Sequence, residues 1–153
     1  MKIKVCGMLK NQNVEKLVKL KPDYVGFIFY INSPRFAGKN TPALPDGIKK
    51  TGVFVNSQVE FIKKTIKKHS LQSVQLHGDE TPDFCRLIKS LGVEVIKAIN
   101  IIDNYDFKKL LPYQKFCNYF LFDTKGKLPG GNGYAFDWEI LKDYTLNTPF
   151  FLS

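Results

Sequence analysis

Six side chains with acid–base or anion-binding chemistry stand at or just past the ends of successive apolar stretches. They are Cys6, Arg35, Asn56, His77, Lys97 and Asp123. The carboxyl end of a strand in a parallel sheet is where α/β proteins keep their reactive groups, so this spacing favours a catalytic or binding site. Taken singly, each residue also has a structural interpretation. A free cysteine packs as a small hydrophobic side chain, His77 could simply be held at a strand end, and Arg35 suits an exposed position as well as an anion clamp.

The elements that must position these residues are seven short stretches with the composition of β-strands. The predicted strands are 2–6, 24–30, 51–56, 73–78, 93–99, 119–123 and 149–153. Gly7 and Gly78 end the first and the fourth, because glycine interrupts a strand pattern.

Helical spacing fills most of the intervals between the predicted strands. Helices are expected at 14–18, 59–69, 79–91, 105–111 and 136–144, whereas glycine and proline limit 36–50 to a turn or two. We expect Ser57 to cap the second helix. In the third we expect Phe84, Leu87, Ile88 and Leu91 to face the core, with Cys85 off that face.

Strands that alternate with helices predict a parallel sheet with right-handed crossovers. Two arrangements fit, an open doubly wound sheet or a (β/α)₈ barrel missing its end. The barrel is favoured because the six polar residues are spread over successive strand ends, whereas a doubly wound sheet concentrates them at one switch point. We therefore expect one barrel domain over residues 1–153, with about seven strands and without the end of the barrel after strand seven.

Composition limits the class of protein. The 153 residues suit one domain, and 44% hydrophobic content is enough for a core. No apolar run approaches the roughly 18 residues of a spanning helix, and we expect no signal peptide before the first strand. The three cysteines, Cys6, Cys85 and Cys117, are odd in number and form no CxxC pair. This spacing argues against a disulfide framework and a zinc site, and favours the cytoplasm.

The formal net charge of +9 has three possible meanings: nucleic-acid binding, a preference for anionic small molecules, or a lysine-rich proteome. The densest cluster is Lys63, Lys64, Lys67 and Lys68. Apolar residues at helical spacing accompany these lysines, so they are interpreted as the solvated face of a helix. Neither a nucleic-acid partner nor a membrane is expected.

Eight motifs, in order along the whole chain, carry a more specific signal than any one of them. They are KVCG (4–7), GFIF (26–29), SPR (33–35), GVFVN (52–56), VQLHG (74–78), FDT (122–124), GGNG (130–133) and FDW (136–138). Together they resemble phosphoribosylanthranilate isomerase, a family of tryptophan biosynthesis.

This resemblance implies a TIM barrel that acts without cofactor or metal as an intramolecular oxidoreductase. The implied reaction is the Amadori rearrangement of N-(5-phosphoribosyl)anthranilate to 1-(o-carboxyphenylamino)-1-deoxyribulose 5-phosphate. Cys6 matches the family's general base, Asp123 its general acid, and Arg35 the group that binds the anthranilate carboxylate. The implied substrate-binding residues also include Lys4, His77, Gly130, Gly131, Asn132 and Gly133. A nearby cation favours a thiolate, so either Lys4 or Lys97 is expected to assist Cys6.

The chain departs from the family pattern after Ser153. The family continues with a Gly-Gly phosphate-binding loop, a helix, an eighth strand and a final helix. The alternatives left open are an inactive truncated barrel fragment, or another phosphosugar isomerase or epimerase on the same fold. The oligomeric state, monomer or homodimer, is also open.

Overall fold

Seven β-strands and three α-helices alternate along the residues that the computed structural model describes, 1–102, 104–124 and 138–153. The strands are β1 (Lys4–Cys6), β2 (Tyr24–Ile28), β3 (Lys49–Phe54), β4 (Ser73–Leu76), β5 (Glu94–Ile101), β6 (Tyr119–Thr124) and β7 (Phe150–Leu152). The helices are α1 (Asn11–Val18), α2 (Val59–His69) and α3 (Pro82–Lys89), and two 3₁₀ helices cover Phe107–Tyr113 and Trp138–Asp143. The chain divides into two units, Met1–Gln75 and Leu76–Ser153.

The first unit is built on β1, β2 and β3, which are parallel neighbours in chain order. Their register pairs Cys6 with Gly26 and Gly26 with Thr51, so these three residues share one sheet face. On the other face, Phe29 stacks on Phe54 with ring centroids 5.5 Å apart. Strand side chains alternate between faces, which separates the residues near Cys6 from those that pack against α2.

The helix α2 covers this second face and has a sharply divided surface. Its buried residues are Ile62, Thr65 and His69, whereas Lys63, Lys64, Lys67 and Lys68 are all exposed. Burial at a 3–4 residue spacing is the pattern of an amphipathic helix. The prediction that the four lysines form a solvated face is confirmed.

The second unit is built on β5, β6 and β7, which are again parallel and adjacent in chain order. An aromatic cluster packs in this unit: Phe107, Phe120 and Phe122 are buried, and Tyr144 and the more exposed Phe150 pack against them. The register pairs Asn100 with Asp123, so the carboxyl end of β6 lies beside that of β5. The aromatic packing anchors the strand that carries Asp123.

The predicted α/β architecture is confirmed, since all seven strands form where the apolar stretches predict them. Within each unit the strands follow chain order, as in a barrel, rather than reversing as in a doubly wound sheet. The segment predicted as a helix over 105–111 is a 3₁₀ helix containing Pro112, which lacks the N–H that an α-helix needs in its interior.

Two predictions about helices are wrong: the N-cap of α2 and the buried face of α3. The N-cap of α2 is Gln58, which makes no side-chain cap, and the Ser57 hydroxyl donates instead to the Val55 carbonyl at 3.4 Å. In α3 the buried residues are Cys85 and Ile88, while Leu87 is 42% exposed. The core stripe of this eight-residue helix therefore includes the small thiol, which the hydrophobic pattern alone did not place there.

Candidate active site

The Cys6 thiol lies at the carboxyl end of β1, against the backbone of Gly26. A Cβ atom at position 26 would lie 2.6 Å from Cys6 Sγ, closer than real side chains pack, so the thiol occupies space that only glycine leaves open. The N–H groups of Gly7 and Met8 both donate to the Gly26 carbonyl, at 3.0 and 3.4 Å. These two hydrogen bonds fix the end of β1 and therefore the origin of the Cys6 side chain. Cys6 is half-buried.

The Arg35 guanidinium lies directly against Gly7, the residue after Cys6. A Cβ atom at Gly7 would lie 2.7 Å from Arg35 Nη1 and 2.9 Å from its Cδ, and Gly7 has a φ of +81°, which side chains rarely adopt. Both observations require glycine at this position. The structure therefore places Arg35 against the residue that follows Cys6, although Arg35 and Cys6 are 29 positions apart in the sequence.

A closed loop between β2 and Phe36 presents Arg35. The Ala37 N–H donates to the Ile28 carbonyl at 2.8 Å, and a bridge pairs Ile28 with Phe36. The Arg35 N–H donates to the Ser33 hydroxyl at 3.2 Å, which stiffens the turn before the bridge. Although the residue as a whole is exposed, its head group is placed by this loop rather than left free over the surface.

Two other predicted residues of the first unit lie near strand ends. Lys4 is two residues before Cys6 on β1, so it lies on the same sheet face about 6.7 Å away along the strand. Its role toward substrate or thiolate stays a prediction. Asn56 is exposed just past β3, in the left-handed region with a φ of +47°.

Asp123 and His77 form a close acid–base contact in the second unit. Asp123 is the fifth residue of β6 and only 4% exposed, and His77 directly follows β4. His77 Nε2 lies 3.2 Å from Asp123 Oδ2, with both side chains largely buried. The distance is that of an ion pair, while the contact falls short of an aligned hydrogen bond. The structure thus joins two predicted site residues from different strands.

Lys97 differs from its prediction, because it lies inside β5 rather than at its end. Its side chain is 4% exposed, and its ammonium is 3.2 Å from Glu80 Oε2 in a buried ion pair. Sequence reasoning did not single out Glu80. An acidic residue two positions past a strand-end Gly78, near a buried strand lysine, was the available signal.

The three cysteines have different environments, and all are free thiols. Cys85 and Cys117 are buried and share a thiol–thiol hydrogen bond, which lowers the pKa of Cys85 and raises that of Cys117. The structural interpretation of Cys85 agrees with this burial. Of the three, Cys6 is the one that is partly exposed.

Two further observations limit the site. Over 1–102, 104–124 and 138–153, no three His, Cys, Asp or Glu side chains cluster as a metal site would require. Within the same ranges, each helix is too short or too polar to cross a bilayer. The predicted phosphate-binding residues, Gly130, Gly131, Asn132 and Gly133, lie outside the described residues.

Parallel strands in chain order, with titratable side chains at or just past their carboxyl ends, are the arrangement of the α/β-barrel class of proteins. The family model for N-(5'-phosphoribosyl)anthranilate (PRA) isomerase matches residues 3–153. A Phocaeicola vulgatus protein named N-(5'-phosphoribosyl)anthranilate isomerase is 40% identical over 151 residues, which cover 99% of this chain and 74% of that protein. The chain belongs to this isomerase family, which confirms the family and the enzyme class predicted from the sequence.

Solved structures of the family agree. The crystal structure of phosphoribosyl anthranilate isomerase from Thermotoga maritima matches with a TM-score of 0.85 and 31% identity, covering 100% of this chain and 76% of that one. This match confirms the predicted barrel class of fold. A second structure of a phosphoribosyl anthranilate isomerase, in complex with reduced 1-(o-carboxyphenylamino)-1-deoxyribulose 5-phosphate, matches with a TM-score of 0.77 at 31% identity, over 94% of this chain and 70% of that one.

Proposed function

We propose that this chain carries out the Amadori rearrangement of N-(5-phosphoribosyl)anthranilate, with Cys6 as general base and Asp123 as general acid. The observation that carries the proposal is the Arg35 guanidinium seated on Gly7, immediately beside Cys6. A carboxylate anchor next to a candidate base suits a substrate in which an anthranilate ring adjoins the reacting sugar carbons. Family membership supplies the reaction class.

The proposed steps conserve atoms and protons. The Asp123 carboxyl protonates the furanose ring oxygen, and the bond from that oxygen to C1′ breaks to give an open-chain Schiff base. The Cys6 thiolate then removes the proton from C2′, giving an enolamine that tautomerises to the 2′-ketone. Positioned proton transfers of this kind require no cofactor.

The surroundings of Asp123 support its role as the acid. Asp123 is only 4% exposed, so its carboxyl lies in a site that is shielded from bulk water. The His77 ring nitrogen at 3.2 Å is close enough to return a proton to the carboxylate after each transfer. His77 is proposed as a proton partner in addition to its predicted contact with substrate.

The substrate's two anions have separate proposed anchors. Arg35 binds the carboxylate, since a guanidinium matches the two oxygens of a carboxylate. Gly130, Gly131, Asn132 and Gly133 are proposed to bind the phosphate through backbone N–H groups. The relative solved with reduced 1-(o-carboxyphenylamino)-1-deoxyribulose 5-phosphate binds a compound carrying both groups. Because Cys6, Cys85 and Cys117 are all free, the reducing cytoplasm is the proposed compartment.

The test of the acid–base pair uses Cys6→Ser and Asp123→Asn. Each is expected to lower kcat by about 100-fold or more, since general acid–base catalysis contributes about 10² to 10⁴. Turnover is measured by chromatographic separation of the substrate from its ketone product. Cys85→Ala and Asp83→Asn are matched controls, because Cys85 is a buried thiol of α3 and Asp83 is 85% exposed. Turnover within a few-fold of wild type in Cys6→Ser or Asp123→Asn would refute the assignment.

The test of the carboxylate anchor is Arg35→Met. We expect KM to rise by about tenfold or more with a smaller change in kcat, because a contact equal in ground and transition states acts through binding. Arg35→Lys keeps the positive charge and loses the planar guanidinium. Its KM should therefore lie between the KM of the wild type and that of Arg35→Met. An unchanged KM in Arg35→Met would show that the guanidinium only covers Gly7.

A further inference from the structure

The turn that carries His77 is held by a buried ion pair between Lys97 and Glu80. Lys97 Nζ lies 3.2 Å from Glu80 Oε2, and the two side chains are 4% and 2% exposed. The Tyr113 hydroxyl donates to the Glu80 backbone carbonyl at 3.2 Å, which ties the acidic residue to the 3₁₀ helix Phe107–Tyr113. Glu80 is therefore held through its side chain by Lys97 and through its backbone by Tyr113.

The same ammonium binds the backbone on each side of His77. Lys97 Nζ donates to the Leu76 carbonyl at 3.3 Å and to the Gly78 carbonyl at 2.7 Å. It also donates to the Ala98 carbonyl at 3.0 Å. Leu76 precedes His77 and Gly78 follows it, so one cation spans the peptide that carries the imidazole.

The Glu80 carboxylate binds the same turn through a backbone N–H. We call Lys97 and Glu80, with their contacts to the backbone around His77, the clamp. Gly78 N–H donates to Glu80 Oε2 at 2.9 Å and to Oε1 at 3.2 Å. The backbone at Gly78 is therefore bound through its N–H by Glu80 and through its carbonyl by Lys97. His77 is held in place by these bonds while its ring reaches Asp123.

Stability alone does not account for this pair. Burying two charges costs several kcal/mol per ion before their attraction is counted, and apolar replacements of buried pairs are often neutral or stabilising. What the pair does supply is one backbone geometry at the turn, because each of its contacts is directional. His77, whose Nε2 lies 3.2 Å from Asp123 Oδ2, belongs to this turn.

We propose that Lys97 and Glu80 are positioning residues for the catalytic acid. They hold the backbone around His77 so that its imidazole meets the Asp123 carboxyl, and they act on the reaction only through that contact. The proposal rests on the proposed role of Asp123 as general acid. It assigns Lys97 a task other than support of the Cys6 thiolate.

The test is the double variant Lys97→Met, Glu80→Gln. Removing both charges avoids an unpaired buried ion, and the amide oxygen of the introduced glutamine can still accept from Gly78 N–H. Two readouts are measured. The ¹⁵N signals of the His77 ring are expected to move, and kcat is expected to fall by about 10- to 100-fold with KM nearly unchanged, because small misplacements of reacting groups cost that much.

The chain offers its own references. It has two histidines, and His69 belongs to the first unit, so its ring signals should stay in place. Lys50→Met is the matched control variant, because Lys50 is a second buried lysine, 6% exposed, on β3. That variant should lower the free energy of unfolding while leaving the His77 signals and kcat unchanged. Lys97→Arg is the second test variant should the double variant not fold: it replaces the compact ammonium by a larger planar fork that cannot make the same set of contacts, so it too should move the His77 signals.

The outcomes separate this proposal from the proposed function. A folded double variant, or Lys97→Arg in its place, with native His77 signals overturns the positioning role whatever the catalytic role of Asp123. Shifted His77 signals with unchanged kcat overturn it as well, since the clamp would then not act on the reaction. If Asp123→Asn keeps wild-type kcat, the proposed acid is wrong, and the His77 signals still show whether the clamp sets the turn.

Discussion

At the scale of single residues, the position of the Cys6 thiol depends on the glycines around it. Gly26 leaves room for the sulfur on its strand neighbour, and Gly7 leaves room for Arg35. Neither glycine carries chemistry, yet each sets where a reactive group lies. A catalytic thiol depends on position as much as on its ionisation, because effective proton transfer requires hydrogen-bond reach.

We predict that Gly26→Ala displaces the Cys6 thiol and lowers kcat by about tenfold or more. The added methyl would lie 2.6 Å from Sγ, so the thiol must rotate or β1 must shift. Alkylation of Cys6 by iodoacetamide, followed by mass spectrometry, should change its rate in the same variant. The buried Cys85 and Cys117 should remain unlabelled in the folded protein.

Gly52→Ala is the matched control for Gly26→Ala. Gly52 lies on the neighbouring strand β3, and its added methyl would lie 2.5 Å from Leu71 Cδ1 and 2.7 Å from Phe54, away from any catalytic group. It should therefore reduce stability without altering Cys6 alkylation or kcat. Equal alkylation rates in the two variants would show that Gly26 does not position the thiol.

Residue type and strand-end position were enough to predict Cys6, Arg35, His77 and Asp123 as site candidates. The residues that they contact could not be predicted, because a close contact such as that between Gly7 and Arg35 depends on how a loop folds back. Glu80 was missed because its carboxylate is recognisable only from the buried ammonium that it meets. Single-sequence patterns report which face a residue lies on, and not which residue from another element it touches.

At the scale of elements, strands were easier to predict than helices. Continuous apolar stretches mark buried parallel strands, and each predicted stretch contains one. Local backbone chemistry decided the rest: Pro112 accompanies a 3₁₀ helix in place of the predicted α-helix, and Gln58 stands at the N-cap expected for Ser57. Lys97 was displaced from the expected strand end because β5 runs on to Ile101.

The end of α2 carries a buried polar cluster on the face opposite to Cys6. His69 Nδ1 lies 3.0 Å from the Thr41 hydroxyl, to which Lys50 also donates at 3.4 Å, and the imidazole packs on Phe29 at 4.7 Å. Burial first, and then the positive charges of Lys68 and Lys50, lower the pKa of His69 below its ordinary 6.5. The fold therefore favours the neutral imidazole.

We predict a loss of stability on mild acidification that depends on His69. The unfolded chain binds a proton near pH 6.5, and the folded chain does so only at lower pH, so stability is full above about 6.5 and declines as the pH falls toward the lowered folded pKa. The free energy of unfolding, measured at pH 7.5 and 5.5 by urea titration, should fall less in His69→Phe than in wild type. Equal declines in the two proteins would contradict the prediction.

At the scale of the whole molecule, the net charge of +9 is opposite in sign to the proposed substrate, which carries a carboxylate and a phosphate. Opposite charges raise the rate of encounter and the local concentration of ligand, and salt screens both effects. The excess positive charges also repel one another, which destabilises the compact folded state. The four exposed lysines of α2 make a large part of this excess and touch no proposed catalytic group.

We predict that kcat/KM falls about threefold or more between low and high ionic strength, while kcat stays nearly constant. The Debye length shrinks from about 30 Å at 0.01 M salt to about 10 Å at 0.1 M, so distant charges lose their effect on an approaching anion.

Changing Lys63, Lys64, Lys67 and Lys68 to glutamine lowers the net charge from +9 to +5 and should reduce both kcat/KM at low salt and the slope of its salt dependence. Glutamine is about as good a helix former as lysine, so α2 should persist. The same four positions changed to arginine keep the charge and should behave as wild type. If the glutamine variant keeps the wild-type salt slope, the charge of α2 has no part in substrate capture, and Arg35 with its immediate neighbours is enough.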